Sequence, residues 1–519
     1  MQYRTYTLRG TLLLFFWLVG SAASGQTFPL PGEDPVSAWL QYRIAAGDVP
    51  LAADLQGPYT YQQLDSLVPR ETGGSSSDPT VRYQNEFLPD STPHFRLLKF
   101  RSDRSSRDAH VLTYADSSLN LKIHWEELWG QTGIPPRWSG ADRVLIQARQ
   151  GPITLFSQFT MYRESAAGLS VPVSTTFRHQ SYRFYPDIGY LLWYQAQSGF
   201  SWTTPWGELT LGQYPLRWGP GGNTAPLLSG TAAPFPFFRL RLPYRQLQLD
   251  ILQADLAAES GNALHQQPQP SPKHLAAQRL RWAPSPRLVM AYTEMVIYGH
   301  RQEKSYLLPV NFYWAEEHNL GDRDNVLMSL DLLARVHDRG IAYVTLVWDE
   351  LQWAKLLQPW WGNKFVFQLG YRWATRLRSH PLLVSLQHTI SRPWTFTHKD
   401  SVNTFTHLGE NLGFPLGPSS RLTTATLQTW LSPRLYASLA LGYAAKGSGL
   451  GSSVWDNYND RDPALDENTP LLVGTPVSGW YMDVQAVWTL TPVWELQFLY
   501  RENQALGIKQ SYLNLQFSW

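Results

Sequence analysis

From about residue 94 to the C-terminus the chain alternates apolar and polar residues in short blocks. The last block shows the pattern: Leu513, Leu515, Phe517 and Trp519 interleave with Tyr512, Asn514, Gln516 and Ser518. A period of two puts one set on each face of a β-strand. The blocks predict strands near 119–128, 143–149, 153–162, 191–203, 207–213, 237–242, 245–254, 274–283, 287–298, 326–335, 341–348, 365–375, 381–391, 422–430, 434–445, 480–490, 494–501 and 512–519, eighteen in all. Segments 94–101 and 110–115 can add a further hairpin, so the expected number is about 16 to 20.

The connections alternate in length. Short turns fall at Gln150–Pro152, Pro205–Gly207, near Pro243, at Pro284–Pro286, Asp338–Gly340, Ser379–Pro381, Ser432–Arg434 and Thr491–Pro492. Long polar segments lie near 256–273, 302–325, 349–364, 392–421 and 446–479. Membrane β-barrels have short periplasmic turns and long extracellular loops. A final strand ending on an aromatic residue resembles the closing strand of bacterial outer-membrane barrels, which the insertion machinery reads. The expected fold is therefore all-β, a transmembrane antiparallel barrel of about eighteen strands with a small N-terminal helical region.

The N-terminus has its own organisation. Arg4 and Arg9 precede the apolar run Thr11–Val19 and the small-residue stretch Gly20–Gln26, the order of a secretory signal peptide cleaved before Gln26. The run is shorter than the roughly 20 residues a membrane-spanning helix needs. Residues 26–92 read as a periplasmic helical region: Ser37–Ala46 has a helical pattern ending at Gly47, and Thr60–Gln63 reads as a capping box. Residues 93–519 are assigned to the barrel.

Composition narrows the function. The chain has no Cys, which removes disulfide scaffolds, thiol catalysis and Cys-based metal sites. A mean hydropathy of −0.30 leaves no room for a helical bundle in a membrane, but it is compatible with alternating strands. The 23 Trp among 14% aromatic residues suit interfacial belts. A formal charge of +2 provides no basic stripe for nucleic acid.

The sharpest local motif is Leu211–Asn223, with Trp218-Gly-Pro-Gly221 at its centre, followed by Leu227-Leu-Ser229 and Pro234-Phe-Pro236. A Gly-Pro-Gly-Gly run cannot be regular strand, and it lacks the Lys-Ser/Thr ending of a phosphate loop. With Lys273–Leu280, Glu294, Tyr306–Phe312, Glu316-Glu-His318, Asp322-Arg-Asp-Asn325, Trp348-Asp-Glu350, Arg392–His398 and Pro415–Pro418, this order of motifs resembles the Wzi family of outer-membrane capsule-assembly proteins. One departure is Gln278, where the family pattern suggests His. The resemblance implies an eighteen-stranded barrel, a periplasmic helical bundle and a lectin-like, non-enzymatic role in holding exported capsular polysaccharide at the cell surface. No cofactor or metal is implied.

The strand count independently gathers nearly all these motifs into the long connections, at one end of the barrel. The candidate polysaccharide contacts are Arg217, Trp218, Asn223, Glu294, Asp322, Arg323, Asp324, Asn325, Asp349, Glu350, Trp394 and His398. Aromatic faces suit the C–H surfaces of sugars, and Asp, Asn and Arg suit their hydroxyls. Each has a plainer reading beside this one. Trp218 and Trp394 fit loop packing, and Asp322, Arg323 and Asp324 fit an internal ion-pair network. Asp322–Asn325 lacks the Gly and distal Glu of a calcium loop. The loop Trp455–Asp460 reads either as sugar-binding or as a solvated tip. A general diffusion porin is the alternative function. A barrel hydrolase is the other, although no Gly-x-Ser-x-Gly elbow occurs. The expected partners are polysaccharide, outer-membrane lipid and the insertion machinery, with the chain itself a monomer.

Overall fold

The computed structural model describes residues 35–57, 94–99, 110–115, 119–132, 137–165, 182–185, 188–258, 271–350, 352–355, 358–491 and 493–518. The expected signal peptide, the capping box at Thr60–Gln63 and Trp519 lie outside the described residues.

All eighteen predicted blocks are strands of one closed antiparallel barrel. In chain order they are β1 (Leu119–Thr132), β2 (Arg137–Gln150), β3 (Ile153–Ser165), β4 (Tyr190–Thr204), β5 (Gly207–Gln213), β6 (Pro236–Tyr244), β7 (Leu247–Ala257), β8 (Pro272–Ser285) and β9 (Leu288–Gly299). They continue with β10 (Asn325–His337), β11 (Gly340–Glu350), β12 (Lys364–Leu377), β13 (His380–Ser391), β14 (Ser420–Ser432), β15 (Leu435–Lys446), β16 (Val477–Thr489), β17 (Trp494–Asn503) and β18 (Ile508–Ser518). Most run longer than the alternating blocks that predicted them, because the pairing ladder continues past the last apolar residue of each block.

Closure is made by β18, which pairs with β17 on one side and β1 on the other, Leu515 facing both Leu496 and Trp129. This ladder ends at Ser518 opposite Glu126. The remaining edge of β1, from Asn120 to Ile123, is taken by the hairpin strand His110–Ala115, itself paired with His94–Lys99. The hairpin thereby covers an edge that would otherwise present unpaired backbone groups.

The wall is apolar outside and polar inside. Leu280, Trp282, Leu330, Leu369, Trp373, Leu386, Leu427 and Leu513 are exposed on the outer face, while Arg279, Asp331, Gln368, Thr389, Gln428, Gln485, Asn514 and Gln516 are buried on the inner one. A soluble barrel has the opposite arrangement, so the outer face is built for lipid. None of the described helices is long and apolar enough to cross a membrane.

The lumen is filled from both ends. At the short-turn end the helix α1 (Pro35–Ala46) places Trp39, Leu40 and Ile44 against Val289, Leu333, Tyr343, Trp430 and Tyr436 of the inner wall. Gly47, at φ +94°, ends α1: its N–H donates to the Ile44 carbonyl at 3.2 Å and that of Asp48 to the Arg43 carbonyl at 3.0 Å, a Schellman cap. Arg335 of β10 donates to the Ile44 and Ala45 carbonyls at 2.6 and 2.8 Å, a cation at the negative end of the helix. The described part of the expected N-terminal helical region therefore sits within the end of the barrel. At the other end, loops 214–235 and 392–419 fold inward. Trp218, Leu227, Phe235, Phe396, Phe405 and Phe414 form an apolar core with inward residues such as Leu275, Met295 and Leu327.

Candidate functional site

The Gly-rich motif is part of this filling. Gly219 and Gly222 hold φ values of +112° and +61°, the left-handed region open to glycine. A Cβ on Gly221 would stand 2.1 Å from Gln368 Oε1. Gln368 Nε2 donates to the Thr224 carbonyl at 2.9 Å, and Arg372 donates to that of Pro220. Arg217–Trp218 forms the centre of a three-stranded sheet between Gln56–Gly57 and Leu228–Ser229. Trp218 is 1% exposed and lies under the Arg279 guanidinium, 5.5 Å from its ring centroid. Arg279 also pairs with buried Asp331 at 2.7 Å. Trp218 is thus a packing residue of the lumen, the plainer of its two readings, and Arg217 and Asn223 are half-buried beside it.

Glu294, Asp324 and their neighbours lie on the opposite side of the wall. Residues 300–324, including the short helix α2 (Tyr313–Asn319), fold over the outer face of β8–β10. Tyr306 and Tyr313 pack there on Ala276, Val296, Tyr298 and Val326. Glu294 accepts from Gln278 at 2.9 Å, from the Tyr313 backbone at 3.2 Å and from Tyr292 at 3.2 Å. Gln278, the departure from the expected His, also donates to the Asn311 carbonyl, so an amide performs the docking. Asp324 accepts two bonds from Arg301, at 3.0 and 2.6 Å, and one from Tyr306 at 2.9 Å. Its ion pair fastens this flap to the outer wall and does not close the lumen. Arg323 meets the Leu320 carbonyl at 2.9 Å. Glu317 of α2 is buried, and desolvation with the nearby Asp322, Asp324 and Asp349 pushes its carboxyl up to about 8.

The long-loop face is a third setting. Asn325 Nδ2 donates to the Asn403 carbonyl at 2.9 Å, and Asp349 accepts the Phe396 N–H at 2.7 Å. Trp394, at φ +67°, packs over Gly451 and is buried. His398 is buried, and desolvation pushes its imidazole down to about 4, so it is neutral at ordinary pH. Asp322 is the open member, its side chain 69% exposed, with Lys399 Nζ 3.3 Å from its carboxylate. Glu350 meets Lys364 at 2.7 Å.

Around these lies a cluster that sequence reasoning did not assemble. Lys364 stands 4.1 Å from the Tyr458 ring centroid and 5.2 Å from that of Trp361, and Arg461 stands 3.8 Å from Trp361. Such stacking holds rings rigidly at a surface. The Trp361 N–H donates to the Asp466 carbonyl at 2.8 Å, and Lys355 pairs with Glu467 at 2.5 Å, joining loops 351–363 and 447–476. Trp455, three residues before Tyr458 in the same loop, is 45% exposed. The Trp-rich segment 348–362 and the Trp455–Asp460 loop both stand out in the sequence. Their union across about a hundred residues has no sequence signal.

No family model and no curated protein matches this chain. Solved structures do. Wzi of Escherichia coli, described as an outer-membrane protein involved in group 1 capsule assembly and a carbohydrate-binding β-barrel, aligns at 11% identity and a TM-score of 0.50, over 76% of this chain and 84% of that one. OpdK of Pseudomonas aeruginosa, solved with vanillate, aligns at 11% identity and 0.43, over 77% and 99%. A BenF-like porin of Pseudomonas fluorescens Pf-5 aligns at 8% identity and 0.43, over 77% and 98%. The likeness to Wzi is one of fold, that of an outer-membrane β-barrel.

Proposed function

We propose that this chain is an outer-membrane protein that holds an exported polysaccharide at the cell surface through its long-loop face, without cleaving it. The observation that carries the reading is the filled lumen. Loops 214–235 and 392–419 build an apolar core inside the barrel, and α1 occupies the other end. A diffusion porin needs a hydrated passage lined by charge, whereas here inner charges such as Arg143–Glu126, Arg279–Asp331 and Arg372–Asp54 are paired to one another or to an inserted segment. The accessible chemistry is then the surface of Trp361, Tyr458 and Trp455 with Asp322, Glu350 and Arg461, rings and hydrogen-bonding groups of the kind that suit saccharide faces and hydroxyls. The resemblance of the motif order to the capsule-assembly family and the fold shared with Wzi support the same reading. In this reading the chain is exported by its N-terminal signal peptide, inserted by the barrel machinery, and works as a monomer.

The test is cell-surface polysaccharide in a strain carrying Trp361→Ala with Tyr458→Ala. Polymer should move from cells to medium with its total unchanged, while the barrel still shows heat-modifiable gel mobility. Full surface retention in this variant and in a complete deletion would remove the anchoring role. Large steady conductance of the purified protein in a planar bilayer would favour the porin.

A further inference from the structure

Among the described residues, the pairing ladder of the barrel wall is interrupted at one place. β4 pairs with β3 along Tyr190–Trp202. On its other edge β5 covers only Ser198–Thr204 and the short strand Tyr182–Tyr185 only Tyr190–Trp193. Among the described residues, neither strand reaches Gln195–Gln197 on that edge. β5 stops at Gln213, and the chain turns into the lumen until β6 resumes at Pro236. Gln213 Nε2 reaches back to the Ala196 carbonyl at 3.4 Å.

On the outer face beside Ser198 and Gln213 lies a groove of about 650 Å³, within the range of roughly 300–1,000 Å³ typical of ligand sites. Its walls are Leu155, Phe200, Leu211, Phe238 and, from the flap, Leu307. Leu155 and Leu211 are exposed on the lipid side of the wall. A polar row crosses the groove in register: Ser157 faces Ser198, which faces Gln213. Beyond β6, Asp255 faces His274. His274 Nδ1 lies 2.7 Å from Asp255 Oδ1, and its Nε2 lies 2.9 Å from Gln302 of the flap. The Asp255 side chain stays 70% exposed. Among the described residues, neither Lys nor Arg lines the groove.

We infer that this recess is a binding site for a neutral glycolipid, a saccharide head joined to acyl chains. The chains lie along the leucine and phenylalanine wall, which continues the lipid-facing surface. The head meets serine hydroxyls, the Gln213 amide and the Asp255 carboxylate, all able to accept from sugar hydroxyls. An anionic head would face Asp255 with no described Lys or Arg of the groove to offset it. The inference rests on the outer wall facing lipid and is independent of polysaccharide binding at the long-loop face.

The test uses the full-length protein in micelles doped equally with monogalactosyl diacylglycerol and phosphatidylglycerol, read by native mass spectrometry. The wild type should retain the galactolipid over the anionic lipid by about tenfold, the ratio that 1.4 kcal/mol gives. Ser198→Trp, on an exposed outward position, should fill the groove and lose that retention. Asp255→Lys should reverse the preference toward phosphatidylglycerol. Heat-modifiable mobility confirms that each variant is folded. Equal retention of both lipids by the wild type, or undiminished galactolipid on folded Ser198→Trp, overturns the proposal.

Discussion

Arg372 of β12 clamps Asp54, a residue 318 positions earlier, through two hydrogen bonds of 2.6 and 2.5 Å, and also donates to the Pro220 carbonyl. One guanidinium therefore joins the wall, the N-terminal segment and the Gly-rich loop. Both partners are buried. Arg372→Ala strands a carboxylate in the lumen, a change that costs about 3–5 kcal/mol when a buried pair is broken. The expected outcome is release of the filling with the barrel intact: current noise and transient openings in planar bilayers, against a silent wild type. A quiet Arg372→Ala barrel would show that the clamp does not hold the plug.

Gly221→Leu should act on the same region by crowding. The space that a Cβ needs is taken by Gln368, and overpacking costs about 1–3 kcal/mol. A lower unfolding midpoint for Gly221→Leu than for wild type is expected, with Gly221→Leu/Gln368→Ala partly restored. No recovery in the double variant would place the strain elsewhere.

The flap carries a pH dependence of known sign. The Glu317 carboxyl is raised from 4.5 to about 8 by burial and neighbouring acids. The docked flap holds a proton that the undocked flap releases, so docking is strongest below about pH 4.5 and is lost as pH rises through about 8. The span corresponds to a few kcal/mol, on the order of 1.4 per pH unit. Protease cleavage within residues 307–315 should therefore speed up between pH 6 and 9 in the wild type, and less so in Glu317→Gln. His398, lowered from 6.5 to about 4, works in the opposite sense. Its loop is stable above about pH 6.5 and loosens as pH falls through 4.

Topology is tested by insertion. An epitope at Ala464–Leu465, on the exposed part of loop 447–476, should be reached by antibody on intact cells. One at Arg378–Ser379, in the exposed turn between β12 and β13, should be reached only after permeabilisation. Insertion near Gly451 is a poorer choice, because that glycine is packed under Trp394. The reverse labelling would turn the barrel over and move the Trp361–Tyr458 surface into the periplasm.

The two acids of the Asp322-Arg-Asp-Asn325 motif have different tasks. Asp322 and Asp324 look equivalent in the sequence. Asp322 is open, but Asp324 holds Arg301 and Tyr306 in the flap. Asp322→Ala should leave unfolding and flap protection unchanged, while Asp324→Ala should raise protease cleavage of residues 300–324 several-fold. Equal protection in both would deny the flap its anchor.

The barrel was legible in the chain because lipid outside and polar groups inside impose a period of two on every strand, and because turn residues punctuate each block. All eighteen strands and the inward or outward side of Leu513, Leu515 and Phe517 follow from that local rule. What occupies the lumen did not follow from it. Ser37–Ala46 reads as a helix, yet only Arg335, Arg372 and the inner apolar wall determine that it lies inside the barrel end. The Gly-Pro-Gly-Gly motif announces a rigid loop. Whether Trp218 faces sugar or Arg279 depends on contacts from strands sixty and more residues away. The surface that joins Trp361 to Tyr458 exists only when two loops meet. Periodicity reports the environment of each strand, one residue at a time. Plug, flap and rim are made by long-range pairings, and those were decided by the tertiary structure.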